Sequence, residues 1–433
     1  MNFLLTLIIV FLIALFFTKN FSPIKAPQNE NPKEYLARKD IFTIKFIDSQ
    51  GNPISGTADV KQINHEFIFG AAINPWIMSN YDEEKKKSLE HIKSIFNLVV
   101  DESMFKWKNT EESKGEINFN STKKIMEWAR ENNKKTRHHC LFWSNPEEQP
   151  DWIYNMDSIE LKKSIFNRIN YTKQEFAQNI TSLDVVNEMI AYDFYRSRLG
   201  NDIIKDIYKA TKINFPDTAL YINESPFHLC RDSKCDSIKT KEEYKNFIIN
   251  EFLSFLEGIN SVPYDKIALQ AHIQSKSDIS ANKKLKFNYE DEDFITLYKD
   301  LISAIAQKTN KKVLISEFDF YCSNEGKRTK FIEDFYKMAF NHPNVEGIIY
   351  WYLNIPESSL TNRSFELNDA GIAINNLINK KWKTFLYNIP TKNGKIEFDA
   401  YFGEYEIFIP EKNKTIQVSL NKNSQRSQKI VID

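Results

Sequence analysis

The chain has 433 residues, 42% of them hydrophobic, and its 58 basic and 58 acidic side chains give a formal net charge of zero. That balance offers no electrostatic attraction for nucleic acid or an anionic membrane surface, and a total of 11 Gly argues against nucleotide-cradling loops. The length admits a large core or two domains; 33 Phe and 19 Tyr can fill such a core or line a cleft that stacks on flat apolar faces such as those of sugars.

Residues 3–17, FLLTLIIVFLIALFF, form an unbroken apolar run. It is shorter than the roughly 20 residues that span a bilayer and within the range of a signal-peptide core. No basic residue precedes it, no small-x-small cleavage site is evident, and Lys19 follows. Two readings stay open for residues 1–17: a signal peptide of a secreted, extracellular protein, or an uncleaved membrane anchor. Residues 18–34 are polar and contain Pro, which predicts a linker.

A β-rich flank follows at 35–66. DIFTIKFID and TADVKQINHEFIFG alternate around GNPISG, and the pattern predicts a hairpin. Between 67 and 387 the rhythm changes, with short apolar runs alternating with helical patterns. DSIELKKSIFNRI has Asp157 as N-cap and Glu160 three residues on; TKEEYKNFIINEFLSFLEG repeats this with Thr240 and Glu243 and stops at Gly258. The apolar runs are FIFGAAIN, FNLVVDE, TRHHCLFW, SLDVVNE, TALYINE, KIALQAHI, KVLISEFD and EGIIYWYLN. Eight strands alternating with helices predict an α/β fold, a (β/α)8 TIM barrel. Residues 388–433 return to β texture, with three strand candidates in KIEFDAYFGEYEIFIPEKNKTIQVSL. The two flanks together predict a small β-rich module built from both termini, the alternative being two unrelated edges of the main domain.

Cys230 and Cys235 lie in the polar segment HLCRDSKCDS and can close a small disulfide loop, whereas Cys140 and Cys322 sit in apolar contexts and read as buried thiols. Triplets such as Asn170-Tyr-Thr and Asn413-Lys-Thr are formal glycosylation acceptors, most of them coincidental in an Asn-rich chain.

Nearly every apolar run ends on a polar or aromatic group: Asn74, Glu102, His139 and Trp143, Asn187 and Glu188, Asn223 and Glu224, Gln270 and His272, Glu317, Trp351 and Asn354. In a barrel of this type the strand C-termini build the active site. So many acidic and amide groups on one rim cannot all be structural without a heavy desolvation cost, and they read as a site. His138 and His139 are adjacent and point to opposite faces of a strand. HExxH, CxxC, GxSxG and Gly-rich phosphate loops are absent, so neither a metal nor a cofactor is expected. Carboxylates with aromatics remain, the equipment of glycoside hydrolysis.

The segments ESMFKW, RHHCLFW, LDVVNE, LYINES, LQAHI, ISEFD and IIYW, in this order, resemble glycoside hydrolase family 10 endo-β-1,4-xylanases. FWSNPEEQPDW, AFNHPNVEGIIYW and the β-rich ends are similar to the plant-type branch. The resemblance implies that Glu188 is the general acid/base and Glu317 the nucleophile of a retaining mechanism, with carboxyls about 5–5.5 Å apart. It further implies that Asn187 bonds the sugar 2-hydroxyl, that His272 orients Glu317, and that Gln270 lines the same pocket. Glu102, Lys106, His139 and Trp143 match the family's glycone-side contacts, Trp351 its stacking floor, and Asn223 is a weaker candidate. The implied partner is a polysaccharide, xylan or a related β-1,4-glycan, bound by a monomer.

Three departures from the family pattern stand out, of which Ser103 and the missing second Trp bear on affinity and Ser144 is a change that plant-like members also tolerate. Ser103 stands where the family usually has a sugar-contacting Asn, Ser144 replaces a His, and a second Trp is not evident in YLNIPESSLTNRSF. Two alternatives to the xylanase reading follow: a hydrolase of another β-1,4-linked glycan, and a catalytically weak carbohydrate-binding wall protein.

Overall fold

The structure, a computed structural model, describes residues 37–78, 83–176, 180–230, 234–275, 277–278, 290–351, 353 and 357–432. The apolar segment 3–17, the linker and Asn354 lie outside the described residues. Among those described, no helix is long and apolar enough to cross a membrane.

Strands β1 (Lys39–Ile47) and β2 (Gly56–His65) carry the predicted alternation, but the hairpin expected between them does not form. β1 pairs antiparallel with residues 395–401 and parallel with 427–431, while β2 lies between 385–391 and 403–409. The reason is burial. Each strand is apolar on one face, and a lone two-stranded ribbon would leave that face wet. Placed in separate sheets, both strands cover one core from opposite sides.

The eight predicted central runs all form strands: β3 (Ile68–Ile73), β4 (Leu98–Asp101), β5 (Lys135–His138) with its continuation β6 (Phe142–Trp143), β7 (Ser182–Asn187), β8 (Ala219–Glu224), β9 (Lys266–Gln274), β10 (Val313–Tyr321) and β11 (Val345–Tyr350). Their order is β5-β4-β3-β11-β10-β9-β8-β7-β6, and a β5–β7 pairing closes the ring, so the sheet is a (β/α)8 barrel without edges. A helix follows each strand: α1 (Glu83–Ile95), α2 (Asn120–Glu131), α3 (Ser158–Phe176), α4 (Asp202–Asn214), α5 (Lys241–Gly258), α6 (Asp291–Thr309), α7 (Glu325–Asn341) and α8 (Asp369–Asn376). The predicted caps are made. The Asp157 carboxylate accepts the Glu160 N–H at 2.8 Å, and Thr240 and Glu243 form a reciprocal capping box.

Leu98, Tyr221, Ala268, Leu314 and Ile349 pack together in the barrel interior. The ring is tight at Gly347, where a Cβ would fall 2.3 Å from the Cβ of Ile68. Outward-facing residues meet the helices; Phe318 stacks on Phe335 at 4.4 Å and Phe320 on Phe331 at 3.9 Å.

Strands β12 (Phe385–Thr391), β13 (Lys395–Tyr401), β14 (Gly403–Ile409), β15 (Lys414–Leu420) and β16 (Ser427–Val431) complete two sheets, β13-β1-β16 and β12-β2-β14-β15. β12 and β16 were not foreseen among the three strand candidates. The sheets enclose one apolar core that includes Phe42, Ile44, Phe46, Val60, Phe398 and Ile407, drawn from both flanks. The Cys230–Cys235 disulfide is formed, and Cys140 and Cys322 are buried thiols.

Arg38 ties the module to the barrel. Its Nε donates to the carbonyl of Phe340, and its Nη2 to those of His342 and Val345, at 2.6–2.7 Å. Arg38→Ala leaves three buried carbonyls without that donor and should destabilise the fold by about 3 kcal/mol or more. Urea unfolding followed by Trp fluorescence checks this; a loss below about 1 kcal/mol would contradict the assignment.

Candidate active site

Asn187 is the last residue of β7, and Glu188 leaves the strand with φ +58°. A side chain in that left-handed region costs roughly 1–2 kcal/mol. The turn has a consequence: neighbours that would face opposite sides of a regular strand both reach the same amide. Gln270 Nε2 donates to Glu188 Oε1 at 3.0 Å and to Asn187 Oδ1 at 3.4 Å. Trp143 Nε1 donates to the other oxygen of Glu188 at 2.7 Å.

A second irregularity prepares Glu317. Along β9 and β10, Ile315 pairs with Leu269 but Glu317 with Gln270, so β10 carries one extra residue, Ser316. Ser316 and Glu317 therefore contact one and the same side chain. Ser316 Oγ donates to Asn223 Oδ1 at 2.5 Å, and Asn223 Nδ2 donates to Glu317 Oε1 at 2.6 Å and to Asn187 Oδ1 at 3.0 Å. His272 Nε2 lies 3.0 Å from Glu317 Oε2, and its Nδ1 is hydrogen-bonded to Asp319. A continuous set of bonds thus runs from Glu188 through Gln270, Asn187 and Asn223 to Glu317.

The two carboxyls are pushed apart in acidity. For Glu188, burial and then the charge of Glu317 raise the pKa above the usual carboxylate range, against the hydrogen bonds from Trp143 and Gln270. Burial would raise Glu317 too, but nearby His139 and the hydrogen bonds from His272 and Asn223 hold it down at about 2. His272 answers to the same pair: burial disfavours its imidazolium, yet the bonds to Asp319 and Glu317 push it up to about 10. One carboxyl is held negative while its neighbour is biased toward the neutral acid.

The remaining predicted residues line the same end of the barrel. Glu102 is hydrogen-bonded to Asn74 and feels Lys106 and His139; burial raises its pKa. Lys106 Nζ stands 4.5 Å from the centre of the Trp143 ring. His139 Nδ1 is 3.0 Å from Asp184 Oδ2 and 3.8 Å from Glu317 Oε1. Trp351 packs on Ala72 and Val100, with His139 edge-on at 5.1 Å and His272 at 6.3 Å. At 5% exposure its ring backs the two histidines rather than offering a broad open face. His138 points away, its Nε2 3.2 Å from Met126 Sδ.

All ten predicted site residues are brought together, and others join them. Asn223 is central rather than marginal, and its side chain is fully buried. Asp319 was missed, although Glu317 and Asp319 share a strand face at i and i+2. Asp184, paired with Arg137 and His139, was missed as well; a lone charge inside an apolar run was its signal. Glu224, named from sequence only as a group that closes an apolar run, is fully buried and accepts the backbone N–H groups of Met189 and Ile190. Two adjacent backbone donors at the end of β7 claim both of its oxygens.

Comparison with known proteins bears on the family and the fold. The profile of Glycosyl hydrolase family 10 matches residues 60–382. Endo-1,4-beta-xylanase 1 of Arabidopsis thaliana is 26% identical over 409 residues, covering 92% of this chain and 39% of that protein. The anti-sigma-I factor RsgI6 of Acetivibrio thermocellus is 28% identical over 400 residues, covering 89% of this chain and 47% of that protein. The chain thus spans less than half the length of these relatives. Xylanase 10B from Thermotoga petrophila, solved in complex with xylobiose, superposes with a TM-score of 0.56 at 21% identity, over 73% of this chain and 95% of the other. Native xylanase 10B from Thermotoga maritima gives 0.56 at 20% identity, over 73% and 96%. The profile match covers most of the chain, and the protein belongs to glycosyl hydrolase family 10.

Proposed function

We propose that the protein is a retaining endo-β-1,4-xylanase that cleaves internal bonds of xylan. The observation that carries this reading is the opposed acidity of Glu188 and Glu317 in one hydrogen-bonded pocket. In the first step the Glu317 carboxylate attacks the anomeric carbon while Glu188 gives its proton to the departing glycosidic oxygen. In the second, Glu188 takes a proton from water, which attacks the same carbon and releases Glu317. Asn187 would bond the 2-hydroxyl as positive charge builds on the sugar ring. His272 supports the reading by keeping two hydrogen bonds in line, one to Asp319 and one to Glu317. Glu102, Lys106, His139 and Trp143 would hold the sugar on the non-leaving side, and Trp351 would back them. The apolar run 3–17 supports action outside the cell, as a leader or an anchor.

A second reading has one observation in its favour: RsgI6, a relative at 28% identity, is named as an anti-sigma factor rather than a hydrolase. On that reading the chain binds a β-1,4-glycan with little or no turnover. Reducing-sugar release separates the two. Purified protein should release sugar from xylan, and Glu317→Ala should lower the rate by about 10⁴-fold or more. No release from any β-1,4-glycan would favour the binder. NMR of the first product should show the β-anomer; the α-anomer would contradict Glu317 as nucleophile.

The acidities also predict the pH profile. Glu317 stays ionised down to about pH 2, so the alkaline limb of kcat/KM belongs to loss of the Glu188 proton. Trp143→Phe removes a donor that favours the charged form of Glu188, so the pKa rises and the alkaline limb should move to higher pH. A limb that stays in place or moves down would detach it from Glu188.

A further inference from the structure

The backbone around Glu188 is gripped on both sides by one strand end. Before it, the Glu188 N–H donates to the carbonyl of Asn223 at 3.0 Å. After it, the Met189 N–H donates to Glu224 Oε1 at 2.8 Å and the Ile190 N–H to Glu224 Oε2 at 3.0 Å. Arg196 Nη2 takes hold of the same segment from the other side, donating to the carbonyls of Met189 at 2.6 Å and Tyr192 at 3.1 Å. Glu224 is 0% exposed and burial pushes its pKa up to about 8, so the Ile190 and Met189 N–H groups are the contacts that favour its charged, two-acceptor form.

That commitment has a reason in the conformation it holds. Glu188 has φ +58°, a region that a side chain bearing a Cβ leaves unless its surroundings over-determine it. Two successive N–H groups need two acceptors. A carboxylate supplies both, whereas an amide of the same shape supplies one and turns its own N–H toward the other donor.

We infer that Glu224 is a positioning residue for the acid/base: by accepting the Met189 and Ile190 N–H groups it locks the left-handed turn that aims the Glu188 carboxyl at Gln270 and Trp143. The inference rests on the reading of Glu188 as the general acid. Released from the lock, Glu188 relaxes toward an ordinary backbone region and its carboxyl swings from the leaving oxygen, with the rest of the cleft in place.

The test pairs Glu224→Gln and Glu224→Asp with two substrates that differ only in how much they need an acid, phenyl and 2,4-dinitrophenyl β-xylobioside. Glu224→Gln should lower kcat/KM for the phenyl glycoside by about 100-fold. For the dinitrophenyl glycoside, whose leaving group departs without protonation, kcat/KM should stay within about twofold. Glu224→Asp keeps two acceptors and should recover part of the loss. Equal losses on both substrates, or none on the phenyl glycoside, would overturn the inference. A crystal structure of Glu224→Gln tests the lock without any need for turnover. Loss of the positive φ at Glu188, or of its contacts to Trp143 and Gln270, supports the lock; an unchanged Glu188 refutes it. A wild-type protein that cleaves neither glycoside would defeat the glycosidase reading itself, and the crystal structure would still decide whether Glu224 holds the turn.

Discussion

The site depends on a constraint of desolvation. Glu317 is 5% and Glu188 8% exposed, and neither can stay in a closed barrel unless every oxygen finds a partner. The partners are shared: Gln270 serves Glu188 and Asn187, Asn223 serves Asn187 and Glu317, and His272 joins Glu317 to Asp319. Because each amide has a donor end and an acceptor end, satisfying one carboxylate orients the group that satisfies the next. The circuit makes the two carboxyls chemically unequal while holding them in one pocket.

Regular strands could not build this circuit. Alternation would send Asn187 and Glu188, or Ser316 and Glu317, to opposite faces of the sheet. At these two places the barrel breaks alternation, with a left-handed residue at Glu188 and an extra residue at Ser316. The first break lies where β7 ends and the second inside β10, whose pairing with β9 resumes from Glu317 to Tyr321, while Leu314 and its neighbours pack on the other side of the extra residue. Strain sits at the site and is balanced by ties from outside it, among them the Glu224 carboxylate and the Arg196 guanidinium.

The flanking strands show the same logic at larger scale. Neither flank buries its apolar face alone, and together they form two sheets over one core. Arg38 and the ring contact between Phe340 and Tyr401, 5.9 Å apart, fasten that module to the barrel beside the end of α7. The two halves of the module are separated by the whole catalytic barrel in sequence, so its assembly waits on long-range contacts.

The amino-acid sequence by itself determined the fold class and the cast of the site. Eight apolar runs of strand length alternate with capped helical patterns, and that periodicity survives any rearrangement of loops. Glu188, Glu317 and the other groups that close apolar runs stood out as a rim because burying them all is too costly to be incidental, whereas Lys106 and the individual roles were implied by the family resemblance. Whatever depends on parity or partner choice was decided by the tertiary structure. β1 and β2 looked like a hairpin because alternation says which face is apolar but not which strand will cover it. Asn223, Asp184, Asp319 and Glu224 gained their places only when strands far apart in the chain were set side by side. A hydrogen bond between residues 94 positions apart, such as Asn223 to Glu317, leaves no local signature in the sequence. Only closure of the barrel brings its two ends within reach.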